Sequence, residues 1–304
     1  MHDLIIVGAG PAGMTAAVYA VRKNMDTAVI SVDVGGQANW SYNVENYLGY
    51  THISGSELVK RFQDHIQSFG IKEEYSRVET LEKTAGGFAI STESNKRFES
   101  KAVLIASGSS PRKLDIPGEK DFIGKGVMFC ATCDGPVFSG LDVAVVGGGN
   151  SGYDAAVQLM KIAKKLYIIE YSDRIIADEV YREQVEKADN VQVMTNTAVT
   201  EVLGDKLMSG IKIKDVKTGQ ERELAVDGMF LKIGYVPNVS FVSDLVDLNK
   251  NNEIIVDCAC RTNVQGLFGA GDVTSVPEKQ IIVAAGEGAK AALSAYRYIS
   301  RGGK

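Results

Sequence analysis

The sequence predicts an α/β protein built from two units that share one local pattern. Residues 4–7 and residues 143–146 are short, continuous apolar runs, which are typical of parallel strands buried on both faces. Each run leads directly into a glycine-rich loop and then into a helix-forming segment. Because 304 residues suffice for two domains of ordinary size, the repeated pattern predicts two βαβ domains in one chain.

The first glycine-rich loop lies between the strand at residues 4–7 and a helix predicted at residues 14–23, with a second strand predicted at residues 27–32. In this position glycines allow a tight turn, close approach of the backbone to a pyrophosphate, and close packing of helix on strand. The pattern therefore predicts a dinucleotide site, and a glycine-rich turn without a ligand is the alternative. The loop consists of Gly8, Ala9, Gly10, Pro11, Ala12 and Gly13.

The second glycine-rich loop has the same setting, ahead of a helix predicted at residues 153–162. The next predicted strand, residues 165–169, ends at Glu170. This acid lies about 20 residues past the glycines, where a carboxylate can accept hydrogen bonds from ribose hydroxyls. Two such loops predict two bound dinucleotides. The second loop consists of Gly147, Gly148, Gly149, Asn150, Ser151 and Gly152.

Between the two loops lies a Cys-x-x-Cys pair, Cys130 and Cys133, followed at once by Asp134. Two thiols at this spacing can close a disulfide and store two electrons. Reducing a disulfide also consumes protons, which a neighbouring carboxyl can supply. The alternative is half of a zinc site completed by Cys258 and Cys260, although Cys-x-Cys is tighter than the usual spacing. Because two dinucleotide loops flank the pair, its predicted role is electron relay.

Other segments complete the predicted architecture. A strand near the C-terminus leads into Asp272, ahead of a helix predicted to begin near Ala284, and open α/β sheets bind ligands at that end of their strands. Cys258 and Cys260 are expected to be packing residues. The sequence also predicts a loop at residues 35–49, a helix at 57–69, an antiparallel insertion within 71–92 and a domain boundary near 115.

Charge and cysteine content exclude several classes of function. The formal net charge is −5, and no dense cluster of Lys or Arg predicts a nucleic-acid surface. Four cysteines in so long a chain are too few for a disulfide scaffold, so a reducing compartment is predicted. The apolar run before Gly8 is too short for a signal peptide or a spanning helix. We therefore expect a cytoplasmic protein that binds neither nucleic acid nor membrane.

These motifs together resemble the low-molecular-weight thioredoxin reductase family, and the resemblance covers the whole chain. The chain is similar also to the reductase portion of the alkyl hydroperoxide reductase flavoprotein subunit, through residues 233–238, 279–282 and 285–290. The motifs that carry the first resemblance are residues 8–13, 35–37, 130–135, 147–151 and 270–273.

The resemblance implies two Rossmann-like, three-layer dinucleotide-binding domains, with a nicotinamide domain inserted into an FAD domain. The FAD domain would comprise residues 1–114 and 242–304, and the nicotinamide domain, which carries the redox disulfide, residues 115–241. Electrons would pass from a nicotinamide to FAD, then to Cys130 and Cys133, and then to thioredoxin or a thioredoxin-like or glutaredoxin-like protein. Cys133 would face the flavin, Cys130 would attack the partner and Asp134 would donate a proton. A homodimer is also implied.

The resemblance further assigns residues to the cofactors. The FAD pyrophosphate would rest on the first loop, through Gly8, Gly10, Pro11, Ala12 and Gly13. The rest of FAD would be bound by Gly36, Gln37 and Asn46 on the flavin side, by Gly108, by Asp272 at the ribityl chain, and by Gln280 and Ile281 near the isoalloxazine. The nicotinamide dinucleotide would be bound by Gly147, Gly149, Asn150, Ser151, Gly152 and Glu170.

One departure from the family concerns the nicotinamide. Members that use NADPH carry a His-Arg-Arg run after the second strand of the inserted domain, whereas the aligned residues here are Glu170, Tyr171 and Ser172, and the later arginine position is Ile176. A 2′-phosphate beside Glu170 would be repelled by about 1 kcal/mol per charge even in water. NADH is therefore expected in preference to NADPH, with Arg174 as the nearest residue that could offset the repulsion.

Ferredoxin is the alternative electron donor. Some relatives take electrons from ferredoxin instead of a nicotinamide, but they tend to have degraded glycine loops, whereas the second loop here is intact. Gly152 and Asp154 stand where the family usually has alanine and glutamate.

Overall fold

The computed structural model describes residues 1–40, 44 and 46–302, without the side chains of Trp40 and Cys133. The chain divides into two compact units. Unit 1 comprises Met1–Ser110 and Val236–Lys304, and unit 2 comprises Pro111–Tyr235. Unit 2 is thus inserted into the sequence of unit 1, as the predicted fold class requires.

Helices and strands are numbered in chain order. The elements of unit 1 before the insertion are β1 (His2–Ala9), α1 (Pro11–Val21), β2 (Thr27–Val34), α2 (Gly55–Gln67), β3 (Lys72–Tyr75), β4 (Val78–Thr84), β5 (Gly87–Thr92), β6 (Arg97–Ile105) and β7 (Ser109–Pro111). The elements that follow are α3 (Glu119–Phe122), β8 (Val127–Met128), α4 (Ala131–Asp134), β9 (Asp142–Val146), α5 (Asn150–Leu159), β10 (Lys165–Ile169), α6 (Glu179–Glu186), β11 (Val191–Met194), β12 (Thr197–Gly204), β13 (Met208–Asp215), β14 (Glu221–Leu224), β15 (Gly228–Leu231), β16 (Tyr235–Pro237), β17 (Leu267–Gly269) and α7 (Ile281–Ser300).

Unit 1 is built on a seven-stranded sheet in the order β3-β2-β1-β6-β5-β4, with β17 paired to β6. The strands β3, β2, β1, β6 and β17 are parallel, and the β4–β5 hairpin joins β6 in antiparallel fashion. Strand β6 is long enough for two neighbours along one edge, because residues 97–100 pair with β5 and residues 103–105 pair with β17.

The two faces of this sheet are covered by different elements. Leu4 and Ile6 of β1 pack in one core cluster with alanines of α1 and α7, while Ile5 and Val7 pack in another with the β4–β5 hairpin and residues 239–246. The helices α1 and α7 are closely packed, since a Cβ on Gly288 would lie 2.0 Å from the Ala12 carbonyl oxygen. The alternation of buried side chains along β1 therefore produces a three-layer unit.

Unit 2 is a second three-layer arrangement. Its central sheet has the order β11-β10-β9-β15-β8, and every pairing in it is parallel. Ala144 and Val146 pack with the antiparallel sheet β12-β13-β14, whereas Val143 and Val145 pack with α4 and α5. Strands β7 and β16, where the chain passes between the units, pair with each other as a short sheet.

Several element bounds and one residue role differ from the sequence-based expectations. Helix α1 begins at Pro11, since proline is well suited to the first helical position. Residues 72–75 form a parallel edge strand, so the antiparallel insertion is limited to β4 and β5. Cys260 is buried in the core, but Cys258 is exposed, and the packing role predicted for Cys258 is wrong. The chain turns there because the Asp257 carboxylate accepts hydrogen bonds from the Ala259 and Arg261 N–H groups.

Within the described residues, no helix is both long and apolar enough to cross a membrane.

Candidate functional site

The first glycine-rich loop joins β1 to α1, and its geometry requires glycine at two positions. Gly8 has φ +111°, and a Cβ there would lie 2.2 Å from the Ala106 carbonyl oxygen. A Cβ on Gly13 would lie 1.9 Å from the Gly8 carbonyl oxygen. Gly10, the N-cap of α1, has extended backbone angles and no side-chain cap, and a Cβ there would meet no atom within 4 Å. The space in front of the helix N-terminus is open, which fits a pyrophosphate.

The second loop, between β9 and α5, reproduces this geometry position by position. Gly147 has φ +124°, and a Cβ there would lie 2.3 Å from the Lys232 carbonyl oxygen. A Cβ on Gly152 would lie 2.0 Å from the Gly147 carbonyl oxygen, so the alanine usual in the family would not fit this backbone. Gly149 is an extended N-cap with no atom within 4 Å of its Cβ position. Unit 2 thus contains a second helix N-terminus of the kind that binds a pyrophosphate.

Glu170 directly follows β10, and its carboxylate is fixed against the second loop. One oxygen accepts a hydrogen bond from the Gly148 N–H at 2.6 Å, and the other accepts one from the Ser172 N–H at 2.7 Å. Each oxygen has a further lone pair, so both can still accept hydrogen bonds from hydroxyl groups. The predicted ribose acceptor is therefore held in place by backbone donors.

The N-terminus of α5 carries a polar pair that sequence reasoning did not identify. The Asn150 amide donates to the Asp178 carboxylate at 3.0 Å, and its amide oxygen accepts from the Asp178 N–H at 2.7 Å. Ser151, beside it, is exposed, as is Arg174. Asp178 is the N-cap of α6, and only the fold brings it to this loop.

The flavin-side candidates make separate contacts within unit 1. Gly36 lies beside the first loop, since a Cβ on it would be 3.8 Å from the Gly10 Cα atom. The Asn46 amide donates to the Gln280 amide oxygen at 2.9 Å, immediately before Ile281 begins α7. The Gln37 amide donates to the carbonyl and hydroxyl oxygens of Ser109, both at 3.0 Å. The Asn238 N–H donates to the Gly108 carbonyl oxygen, also at 3.0 Å.

Asp272 follows a turn that a second carboxylate supports. Gly271 has φ +78° and donates its N–H to the Glu287 carboxylate at 2.8 Å. Glu287, on α7, is only 4% exposed, and burial raises the pKa of both Glu287 and Asp272. Glu287 lies within residues 285–290, which carry the second resemblance, but no role was predicted for it, because only the fold brings it to Gly271.

The redox motif lies at α4 in unit 2, with Cys130 immediately before the helix and Asp134 as its last residue. The Cys130 sulfur is in a disulfide, whereas Cys258 and Cys260 are free, so Cys130 is not a zinc ligand here. The side chain of Cys133 lies outside the described residues. Burial raises the pKa of the half-buried Asp134 carboxyl, while a backbone hydrogen bond from Cys130 and the positive charge of Lys232 lower it. Asp134 is thus a carboxyl beside the disulfide whose proton affinity is set by opposing effects.

Known proteins share the arrangement described above. Residues 2–288 match the pyridine nucleotide-disulphide oxidoreductase family. The chain belongs to this family. The chain is 42% identical over 301 residues to the F subunit of alkyl hydroperoxide reductase of Staphylococcus aureus. That alignment covers 99% of this chain but 59% of the relative's length.

Solved structures of similar fold are thioredoxin reductases. The T. acidophilum enzyme is 41% identical with a TM-score of 0.83, and the alignment covers 98% of this chain and 99% of that chain. The Lactococcus lactis enzyme is 35% identical with a TM-score of 0.86, at 99% and 100% coverage. The resemblance to thioredoxin reductases and the prediction of two Rossmann-like domains are therefore confirmed. A flavin and a pyridine nucleotide are the cofactors expected for this family.

Proposed function

We propose that this oxidoreductase passes electrons from NADH through FAD to a Cys130–Cys133 disulfide and on to thioredoxin or a thioredoxin-like protein. The observation that carries the proposal lies within unit 2. A disulfide at Cys130, a carboxyl at Asp134 and a glycine-rich loop of dinucleotide-binding geometry occur in one unit. A structural disulfide would need neither the acid nor the loop.

Unit 1 supports the binding of FAD. The open space before α1 suits the pyrophosphate, and the Gly271–Asp272 turn and the Asn46–Gln280 pair supply polar groups for the rest of the cofactor. Bound FAD would carry two electrons between a nicotinamide and a disulfide. The residues of this chain bind and orient the cofactor and, through Asp134, move a proton to or from sulfur.

The preference for NADH over NADPH rests on Glu170. Two backbone N–H groups fix its carboxylate against the second loop, so the side chain cannot swing away without breaking both hydrogen bonds. A fixed carboxylate favours a ribose hydroxyl and disfavours a second negative charge. The exposed Arg174 donates nothing to Glu170 in the described contacts; its carbonyl oxygen accepts a hydrogen bond from the Ser172 hydroxyl.

Anaerobic mixing tests the electron donor. The purified holoprotein is mixed in turn with NADH, NADPH and reduced ferredoxin while the visible flavin band is followed. We expect NADH to bleach the flavin and NADPH to do so far more slowly. Bleaching by ferredoxin but not by NADH would overturn the proposal in favour of the ferredoxin-dependent alternative, and equal kcat/KM values for NADH and NADPH would overturn the assigned preference.

A cysteine variant tests the order of electron flow. Cys133→Ser removes the disulfide, so reduction of a protein disulfide should be lost while NADH still bleaches the flavin. Cys258→Ser is the matched control, because Cys258 is an exposed free thiol in unit 1, and it should retain both activities. Loss of both activities in Cys133→Ser alone would show that the assigned order is wrong.

We also propose a compartment and an oligomeric state for the enzyme. A protein with a small set of free thiols and a dithiol partner suits the reducing cytoplasm, and we propose that the enzyme is a homodimer there. Light scattering on the purified holoprotein distinguishes a dimer from a monomer.

A further inference from the structure

Lys232 lies at the carboxyl end of the central sheet in unit 2, in line with the redox motif. Strand β15 pairs with β8 in parallel, with Met229 opposite Val127 and Phe230 opposite Met128. Strand β8 ends at Met128 and β15 at Leu231, so Cys130 and Lys232 each follow the carboxyl end of one of two neighbouring parallel strands. The Lys232 N–H donates to the Val146 carbonyl oxygen at 2.8 Å, which holds the backbone at this place just beyond the end of the strand.

The side chain of Lys232 is on the same side of the sheet as the helix that carries the disulfide. Side chains alternate along a strand, so Lys232 projects to the side that Phe230 occupies. Phe230 packs edge-on against Phe138, with ring centroids 5.4 Å apart, in the cluster that also contains Ala131 of α4. The half-buried Lys232 side chain therefore extends along the layer formed by α4 and α5.

Two acids from these two helices act on the lysine. The charges of Asp154 on α5 and Asp134 on α4 both raise the pKa of Lys232. Asp154 is also joined to the redox helix by a chain of hydrogen bonds, because the Thr132 hydroxyl donates to Gln158 at 2.7 Å and the Gln158 amide donates to Asp154 at 2.8 Å. The lysine is therefore flanked by one acid that is tied to the scaffold and one that adjoins the disulfide.

We propose that Lys232 is a positioning residue for proton transfer at the Cys130 disulfide, acting through the carboxyl of Asp134. The proposal rests on the proposed disulfide reductase function. Burial lowers the pKa of Lys232, and the charges of Asp154 and Asp134 raise it. Burial raises the pKa of Asp134, and the charge of Lys232 opposes that rise. The lysine thus limits how far burial raises the pKa of the Asp134 carboxyl.

The step that needs this proton is the transfer to the partner disulfide. The motif begins as one thiol and one thiolate, holding two electrons taken from the reduced flavin. The thiolate attacks the partner, a mixed disulfide forms as the partner's S–S bond breaks, and Asp134 gives a proton to the sulfur that leaves. The remaining thiol of the motif then closes the Cys130 disulfide, and its proton goes to the second partner sulfur. The products are a partner dithiol, a motif disulfide and an Asp134 carboxylate, so protons, electrons and charge balance.

Two disulfide probes separate the proton step from the rest of the reaction. Oxidised thioredoxin has alkyl thiols as leaving groups, which need a proton, whereas 5,5′-dithiobis(2-nitrobenzoate) releases an aromatic thiolate that needs none. We measure kcat/KM against pH with both probes for the wild type, Lys232→Met and Lys232→Arg. Lys161→Met is the matched control, because Lys161 is exposed just beyond the end of α5 and its substitution removes the same charge.

The expected result is a shift in one profile only. In Lys232→Met the limb of the thioredoxin profile that reports Asp134 should move to higher pH, because the charge that lowers the pKa of this carboxyl is gone. The aromatic-disulfide profile and the flavin bleaching by NADH should not change, Lys232→Arg should restore the wild-type profile, and Lys161→Met should match the wild type.

Other results would overturn the role of Lys232 without affecting the proposed function. An unshifted thioredoxin profile in Lys232→Met, an equal shift with both probes, or an equal shift in Lys161→Met would each do so. If Lys232→Met does not fold, Lys232→Gln is measured in its place with the same expectations. A wild type that reduces neither probe would instead show that the proposed function is wrong.

Discussion

The buried carboxylate of Glu287 accepts a hydrogen bond from the backbone N–H of Gly271 at 2.8 Å. This contact joins α7 to the turn that precedes Asp272, and Gly271 has the positive φ that the turn requires. Burial raises the pKa of Glu287, as does the charge of Asp272, whereas the Gly271 hydrogen bond and the charges of Lys290 and Lys279 lower it.

We predict that Glu287→Gln is tolerated and Glu287→Ala is not. Glutamine keeps an oxygen acceptor for the Gly271 N–H, whereas alanine leaves that buried donor without a partner, at a cost of about 1–3 kcal/mol in the free energy of unfolding. Urea unfolding of the holoprotein measures the difference, and the FAD content of the purified variants shows whether the Asp272 turn still forms. Equal stability of the two variants would contradict the role assigned to the hydrogen bond.

The raised pKa of Glu287 predicts a pH dependence of known sign. The folded state binds the Glu287 proton more tightly than the unfolded state does, so the stabilisation from this group is complete below the unfolded pKa and is lost as pH rises through the folded pKa. The wild type should therefore lose stability relative to Glu287→Gln between about pH 5 and about pH 8. Unfolding free energies of both proteins at the two pH values test this, and a constant difference between them would contradict it.

We predict that Glu170→Gln lowers the discrimination between NADH and NADPH by about tenfold, which corresponds to about 1.4 kcal/mol. Neutralising the carboxylate removes both an acceptor for the ribose and the charge that repels a 2′-phosphate. The ratio of kcat/KM values for the two nucleotides is the measurement. Glu183→Gln is the control, because Glu183 is an exposed acid on α6, and an equal change in that variant would point to net charge instead of position.

Alanine substitutions in the second loop should affect NADH binding at Gly149 and stability at Gly152. Gly149→Ala should leave the free energy of unfolding within about 0.5 kcal/mol of the wild type, because no atom lies within 4 Å of the added methyl, yet it should weaken NADH binding at least about tenfold by occupying the pyrophosphate space. Gly152→Ala should be strongly destabilising, because its Cβ would lie 2.0 Å from the Gly147 carbonyl oxygen. Urea unfolding and the Kd for NADH measure the two effects.

Gly286→Ala is the control for the loop variants. Gly286 is an exposed residue of α7 with no atom within 4 Å of its Cβ position, so alanine should stabilise the helix by about 0.5–1 kcal/mol and leave the Kd for NADH unchanged. Tight NADH binding by Gly149→Ala would show that the space before α5 does not receive the pyrophosphate.

The two free cysteines should differ sharply in reactivity. Cys258 is exposed, whereas Cys260 is 1% exposed and burial raises its pKa to about 11. At about pH 8 only roughly one Cys260 in a thousand would be thiolate, so iodoacetamide should modify Cys258 quickly and Cys260 only as the fold opens. Peptide mass spectrometry over time measures both rates, and Cys258→Ser should remove the fast phase. Equal rates would contradict the burial of Cys260.

Local constraints made much of the fold and site predictable. The loops at Gly8–Gly13 and Gly147–Gly152 are recognisable because backbone crowding at Gly8, Gly13, Gly147 and Gly152 admits no side chain, and that requirement is written in the sequence. Buried parallel strands likewise appear as continuous apolar runs. The Cys130 motif was identified for the same reason, since its chemistry depends on residues that are adjacent in the chain.

Residues that act through tertiary proximity could not be predicted. Asp178 reaches the second loop and Lys232 reaches the redox motif only through the fold of unit 2, and Glu287 reaches Gly271 only through the packing of α7 in unit 1. The error at residues 72–75 has a similar origin, because only the neighbour β2 makes that polar segment a parallel strand. Cys258 was misjudged because an Asp257-centred turn interrupts the apolar run that suggested a strand.

The pairing of β7 with β16 brings the two ends of the inserted segment together. The Arg112 N–H donates to the Gly234 carbonyl oxygen at 2.9 Å, and the Asn238 N–H donates to the Gly108 carbonyl oxygen at 3.0 Å, so the chain enters and leaves the insertion side by side. A short hairpin turn could therefore bridge the cut ends if residues 111–235 were deleted. Exchange of this segment between relatives would join the chains at two neighbouring points, the paired ends of β7 and β16.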